Sequence, residues 1–259
     1  MATAPALRAV LLCVILAGCS FISSDSGGTE SDREVRLAAA PIPGTRVSYR
    51  VRTTATLSGV GVRFLTESQK AASTSQRYAV EVTSIEATSF NVRITGDSLQ
   101  GVVIARFGND WTAQKFGIEN EGKYADADFV SFPILGEAFQ VARDLAGKWT
   151  VGETRPWERT MTLPPLVSVK MRGRSTFKRV TKLGGRRVAE FDYSATGDGE
   201  YAGTALQMKL GGLYWVDLVT GFMLESKTTA TGQFTQSGEP VQMELKEERT
   251  LNRTDSVGI

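Results

Sequence analysis

Arg46-Val47-Ser48-Tyr49-Arg50-Val51-Arg52-Thr53-Thr54-Ala55-Thr56-Leu57 is the stretch that decides the fold. Val47, Tyr49, Val51, Ala55 and Leu57 alternate with Arg46, Ser48, Arg50, Arg52 and Thr56. Successive side chains of an extended chain point to opposite faces, so this period of two predicts a strand with one face buried and one in water. About eleven residues at ~3.3 Å each reach about 36 Å, twice the usual strand length.

The same pattern recurs outward from there. Gly59 and Gly61 turn the chain, and a polar strand over 62–73 is expected at an edge. Tyr78, Val80 and Val82, then Phe90, Val92 and Ile94, then Val103, Ala105 and Phe107 mark three more strands. Gly108-Asn109-Asp110 is a hairpin signal, after which 111–118 returns, completing an antiparallel meander of six strands. Further on, Val167, Val169, Met171, Ser175 and Phe177 alternate with Lys170, Arg172, Arg174 and Lys178. Gly184-Gly185 turns that strand back through Ala189, Phe191, Tyr193 and Ala195, and 196–199 (Thr-Gly-Asp-Gly) predicts another turn. Strands over 206–210, 213–218, 222–234 and 241–251 finish the body, with a tight turn at Asp217, Thr220 and Gly221.

Two stretches interrupt the strands. Glu119, Glu121, Asp126 and Asp128 fall in an acidic loop whose spacing does not match an EF-hand, so it reads as solvated rather than as a calcium site. Between Pro133 and Gly147, Ile134, Leu135, Ala138, Phe139, Ala142 and Leu145 recur at helical spacing opposite mixed charge, which predicts a helix packed on the sheet.

A dozen strands at ~4.8 Å would make an open sheet about 55 Å wide. A helix of about thirteen residues, ~20 Å long, covers about four of them. The remaining apolar face must curl onto itself or meet a second sheet. The expected fold is therefore mainly β, a curved antiparallel sheet closing into a barrel or half-barrel with one packed helix; a two-sheet β-sandwich is the alternative. It forms one domain over 44–252, with a tail at 253–259.

Composition closes several chemistries. The chain has no histidine, so neither Ser-His-Asp nor Cys-His catalysis nor a His-ligated metal or haem is available. No catalytic constellation of carboxylates or lysines stands out, and the expectation is a protein that is not an enzyme and takes no metal or cofactor. Net charge is +2, and no nucleic-acid partner is expected.

The amino-terminal residues point to a membrane. Arg8 precedes the nine-residue apolar run 9–17, and Leu16-Ala17-Gly18-Cys19 ends it. A helix of that length covers about half of a ~30 Å hydrocarbon core, so it is a secretory signal rather than a span. The four residues resemble the lipobox of bacterial lipoproteins. That resemblance implies cleavage between Gly18 and Cys19 and acylation of Cys19 with two or three chains, enough for stable anchoring. An unlipidated signal peptide is the competing reading. Ser20, where inner-membrane lipoproteins carry Asp, implies the outer membrane if the source has one. The division is then a signal peptide at 1–18 and a lipidated cysteine with flexible linker at 19–43. With Cys13 removed and Cys19 acylated, no disulfide is expected.

Tyr214-Trp215-Val216-Asp217 followed by Thr220-Gly221 resembles a hairpin of the LolA/LolB-type periplasmic half-barrels that bind lipids and lipoproteins. The resemblance implies a hydrophobic ligand or lipid in a β cavity, for which Val47, Tyr49, Val51, Trp111 and Trp215 are the lining candidates. The alternative is an envelope scaffold or interaction protein with a filled core. Charge offers a second surface: residues 155–187 carry ten basic side chains and one acidic, whereas 188–255 carry eleven acidic and five basic. Lys170, Arg172, Arg174 and Lys178 are the candidates for an anionic envelope partner. The competing reading is that neighbouring strands pair these charges with acids.

Overall fold

The structure is a computed structural model that describes residues 33–37, 42–97, 99, 101–109, 111, 113–119, 124–126, 141–163, 167–201 and 204–256. The signal segment, Cys19, most of the 19–43 stretch and the first part of the 133–147 segment lie outside the described residues. In chain order the strands are β1 (Glu34–Leu37), β2 (Thr45–Ser58), β3 (Ala71–Ile85), β4 (Ser89–Gly96), β5 (Val103–Gly108), β6 (Ala113–Ile118) and β7 (Tyr124–Asp126). There follow β8 (Gly147–Thr150), β9 (Thr154–Leu163), β10 (Val167–Leu183), β11 (Arg186–Tyr201), β12 (Thr204–Asp217), β13 (Met223–Gln236) and β14 (Glu239–Ser256).

Twelve of these form one sheet, ordered β7-β6-β5-β4-β3-β2-β14-β13-β12-β11-β10-β9, and β1 pairs separately with β8. Every described pairing is antiparallel. Two meanders, β2 to β7 and β9 to β14, are thus joined where β14 lies beside β2. Ala55 faces Leu245 and Val51 faces Arg249 across that seam.

The sheet does not close: β7 and β9 are its edges. It does curl. Trp111 follows β5 and Phe222 precedes β13, five positions away in the sheet, or about 24 Å if it were flat. Their ring centroids are 5.6 Å apart, edge to face. The architecture is an open half-barrel.

Two apolar clusters make up the core. One gathers β10 to β13, the distal ends of β2 and β14, and β1 and β8, through residues such as Leu57, Trp149, Phe177, Phe191, Tyr214 and Phe234. The other gathers Val47, Tyr49 and Val51 with β3 to β5, Trp111 and Phe222. Residues 141–145 are helical, and Val141 enters the first cluster while Ala142 enters the second. The predicted helix therefore packs on the sheet over its described part. Gly147, at φ 108°, lets the chain turn directly into β8.

Several sequence expectations give way to tertiary context. Residues 62–73 are not a strand. Val60–Val62 form a 3₁₀ turn, Glu67–Lys70 an α-helical turn capped reciprocally by Thr66 and Gln69, and β3 runs unbroken from Ala71. Burial of Val62 and Leu65 in the first cluster holds that connection in place. The expected turn at 196–199 is instead mid-strand in β11. Gly197 lies so close to the Met171 sulfur that a Cβ has no room, so this glycine serves close packing. The acidic loop contains β7, whose Tyr124 pairs with Gly117. The stretch read as flexible linker contains β1, with Val35 and Leu37 buried in the first cluster and paired to β8. Four residues are too few for an alternation to stand out, and β1 orders only because β8 supplies its partner.

Candidate functional site

Ordinary core strands place apolar residues at every inward position, and here one transverse row departs from that. Thr53 on β2 faces Thr74 on β3 and Glu247 on β14. Glu247 faces Thr228 on β13, and Thr228 faces Gly212 on β12. Gly212 faces Tyr193 on β11, Tyr193 faces Ser175 on β10, and Ser175 faces Arg155 on β9. One rung is thus polar or glycine across eight consecutive strands. The rung beside it is apolar or glycine throughout: Ala72, Ala55, Leu245, Ala230, Leu210, Ala195, Gly173 and Trp157.

The rung is deeply buried at its centre. Thr53, Ser175, Tyr193, Thr228 and Glu247 are each at most 4% exposed. The next inward position on β14 is Arg249, at 2%, facing Ser226 on β13. Arg249 Nη2 approaches Glu247 Oε1 at 3.5 Å, and the guanidinium lies 5.7 Å from the centroid of the Tyr49 ring. Tyr193 donates to Thr228 Oγ1 at 2.5 Å, and Trp157 Nε1 donates to Ser175 Oγ at 3.1 Å. Tyr49 donates to the Met223 carbonyl at 2.7 Å, and burial drives its phenol pKa well above the ordinary value, with Arg249 opposing. Among the described residues two hydroxyls are buried without a hydrogen bond: Thr53 Oγ1, beside Glu247 in the register, and Ser226 Oγ, beside Arg249.

Four of the five cavity-lining candidates share one cluster, whereas Trp215 alternates with the inward Tyr214 and Val216 and meets Glu190 and Lys227 on the other face of the sheet. Val47, Tyr49, Val51 and Trp111 are all buried in the second cluster, and half-buried Trp215 packs against it. They meet as packed side chains: Phe90 stacks on Phe107 at 5.4 Å, and Trp111 stands edge-on to Phe90 at 5.0 Å. Trp215 Nε1 donates to Glu190, which also receives Arg179. The Asp217–Thr220–Gly221 turn forms as expected, with Asp217 Oδ2 accepting from the Thr220 hydroxyl at 2.7 Å and pairing with Arg186. Separately, a groove of about 360 Å³ lies among Thr196, Asp198, Gln207, Lys209, Thr231 and Gln233.

Lys170, Arg172, Arg174 and Lys178 all stand exposed along β10. Arg172 pairs with Glu158 of β9, and Lys170 faces Asp198 of β11. Arg174 and Lys178 have no ion pair among the described residues. Arg155 and Arg159, counted in the same basic run, instead turn inward. Arg155 covers the Trp149 ring at 3.9 Å, and Arg159 pairs with Asp144 at 2.7 Å. The side-chain hydrogen bond from Arg172, and then its charge, hold the Glu158 carboxyl below the usual glutamate range. A depressed folded pKa adds stability above the unfolded value and loses it as pH falls through the folded one. Glu158→Gln is therefore expected to be slightly less stable than wild type at neutral pH, with the gap closing below the glutamate range. Urea midpoints at the two pH values check this, and a gap that widens on acidification contradicts it.

The rung was legible as a phase signal that the sequence reading passed over. Thr53 interrupts the run Val51-x-Thr53-x-Ala55, and Glu247 and Arg249 continue Val241-x-Met243-x-Leu245 at the same inward phase.

No family model matches the sequence, and no curated protein does. Among solved structures, the chain is similar to the hypothetical lipoprotein YmcC from Escherichia coli, at 14% identity over 81% of this chain and 89% of that one, with a TM-score of 0.31. It is also similar to Ail, the attachment invasion locus protein of Yersinia pestis, at 6% identity over 80% and 99%, with a TM-score of 0.18. A third likeness is to an outer membrane channel from Pseudomonas putida F1, at 9% identity over 88% and 100%, with a TM-score of 0.21.

Proposed function

We propose that this chain is a bacterial envelope lipoprotein, anchored by acyl chains on Cys19, whose half-barrel holds an amphiphile against its concave face. The polar rung carries this reading. Burying a hydroxyl without a partner costs about 1–3 kcal/mol, and a scaffold gains nothing from doing so twice beside a buried ion pair. A holder of amphiphiles does gain, because a polar group meets the rung while hydrocarbon meets the apolar clusters on either side. Binding sites commonly combine an apolar lining with a few fixed polar groups in this way. Ser20 after the acylated cysteine favours the outer membrane in a cell with two membranes. The second reading, an interaction protein with a filled core, draws on the close ring packing of Phe90, Phe107, Trp111 and Phe222.

Native mass spectrometry of the full-length protein purified from membranes separates the two. A non-covalent adduct of lipid mass that leaves on collisional activation is the expected result, and the bare acylated polypeptide would overturn it. Cys19→Ser is expected to move the protein from the membrane to the soluble fraction. Sedimentation with membranes as in wild type would remove the anchor from this account.

A further inference from the structure

Resting on the acylated anchor in that reading, we infer that the β10–β11 hairpin and the β12–β13 turn beside it form a docking end that lies on a bilayer bearing anionic lipid. Val188 faces Asp217 across β11 and β12, so the two turns sit side by side at one end of the sheet. The Leu218 N–H donates to the Arg187 carbonyl at 3.1 Å and ties them together.

Cations gather at this end without matching acids. Lys182 faces Arg187 directly across the hairpin, and both are exposed. Like charges opposite one another destabilise an antiparallel pair. The carboxylates of β11 and β12 nearest the turns are buried and already engaged, Glu190 by Arg179 and Asp217 by Arg186. Asp192, the next acid on β11, lies further up, opposite Thr176. Lys182, and Lys178 further along β10, have no ion pair among the described residues. An anionic bilayer supplies the missing charge and favours docking by about a factor of five per cation.

An apolar side chain projects among these cations. Val219 is 58% exposed at the crest of a turn that its own hydrogen bonds hold fixed. The Thr220 hydroxyl donates to Asp217 Oδ2 at 2.7 Å, and the Gly221 N–H to the Asp217 carbonyl at 2.9 Å. A Cβ added at Gly184 or Gly185 would meet nothing within 4 Å, so the hairpin stands clear of the body. An apolar residue set among lysine and arginine is suited to the boundary between headgroups and acyl chains. At the opposite end of the sheet Phe64 is 62% exposed, but the same connection carries Glu67, 90% exposed despite its pairing with Lys70, which an anionic surface repels.

The anchor reaches far enough. The Arg33 carbonyl accepts from the Val151 N–H at 2.8 Å, and the adjoining Gly152 N–H donates to the Phe177 carbonyl at 2.8 Å. From Phe177 to the end of β10 at Leu183 is about 20 Å. The chain from Cys19 to Arg33 spans at most about 50 Å. The hairpin can therefore touch the bilayer that holds the acyl chains.

With Cys13 removed and Cys19 acylated, Val219→Cys gives the full-length acylated protein a single thiol for a nitroxide label. In vesicles containing phosphatidylglycerol, that label is expected to be shielded from a water-soluble nickel chelate and open to oxygen, whereas a label at Phe64→Cys stays open to nickel. Lys182→Gln with Arg187→Gln is expected to lower the docked-to-free ratio of the 219 label more than about tenfold, and so are vesicles of phosphatidylcholine alone. The urea midpoint of that double variant should equal or exceed that of wild type, since two facing cations have gone. A 219 label open to nickel, or shielding that persists in the double variant or without anionic lipid, overturns this inference and leaves the anchor in place. Shielding in the absence of vesicles means that a protein surface covers the turn, and overturns it too. Failure of the acylated protein to sediment with membranes overturns the parent reading as well.

Discussion

Arg249→Ala is expected to lower the free energy of unfolding by about 3–5 kcal/mol, the range found when one member of a buried charge pair is removed. The guanidinium is 2% exposed and the Glu247 side chain 5%, so the carboxylate stays buried between Thr53 and Thr228 after the guanidinium has gone. Loss of the aliphatic stem adds a packing defect beside Tyr49 and Val51. Because domains of this size are stable by about 5–15 kcal/mol in all, the effect should be visible as a large fall in urea midpoint. The coupling is testable too. Replacing both charges, Glu247→Gln with Arg249→Met, is expected to recover much of the loss, because the cost lies in the orphaned ion rather than in the absence of the pair. A double variant less stable than wild type by the sum of the losses of Glu247→Gln and Arg249→Met alone would show the two residues to be independent.

Trp149→Ala should cost about 3–5 kcal/mol, as for large aromatic truncations in a core that cannot collapse. Trp149 is fully buried on β8 and stands edge-on to Phe191 at 5.0 Å. Its indole Nε1 donates to the Leu145 carbonyl at 2.7 Å, and Arg155 covers its face at 3.9 Å. One side chain therefore ties together the end of the helical segment, the β1–β8 pair and the sheet. Beyond the loss of global stability, the amides of β1 should exchange faster with solvent, since β1 has no other described strand neighbour. Trp149→Phe keeps most of the buried area but not the hydrogen bond and should fall between. A loss below about 1 kcal/mol for Trp149→Ala would mean that β1 and β8 are held by something other than this contact.

The strand content was readable because alternation is a local property. Val47, Tyr49, Val51, Ala55 and Leu57 all point inward in β2, and the turns at Gly184-Gly185 and Asp217–Gly221 fall where the sequence put them. The readings that failed did so where a residue type has two uses. Gly197 and Gly199 suggest a turn, yet both lie mid-strand, where Gly197 lets Met171 approach the backbone. Thr66 and Gln69 look like strand polarity until their caps close on each other. β1 is too short to announce itself and exists only through β8.

By itself, the sequence determined that this is a β protein of long antiparallel strands, with neither an imidazole nor a free thiol expected in its folded body. Each of those properties belongs to single residues or to neighbours two apart. Tertiary structure alone decided that β14 lies beside β2 across some 200 positions of chain, that the sheet curls far enough to bring Trp111 to Phe222, and that eight strands align polar residues or glycine in one row. Register between strands is set by the packing of whole faces against each other, and a shift of two residues would keep every side chain on its face while dissolving the row.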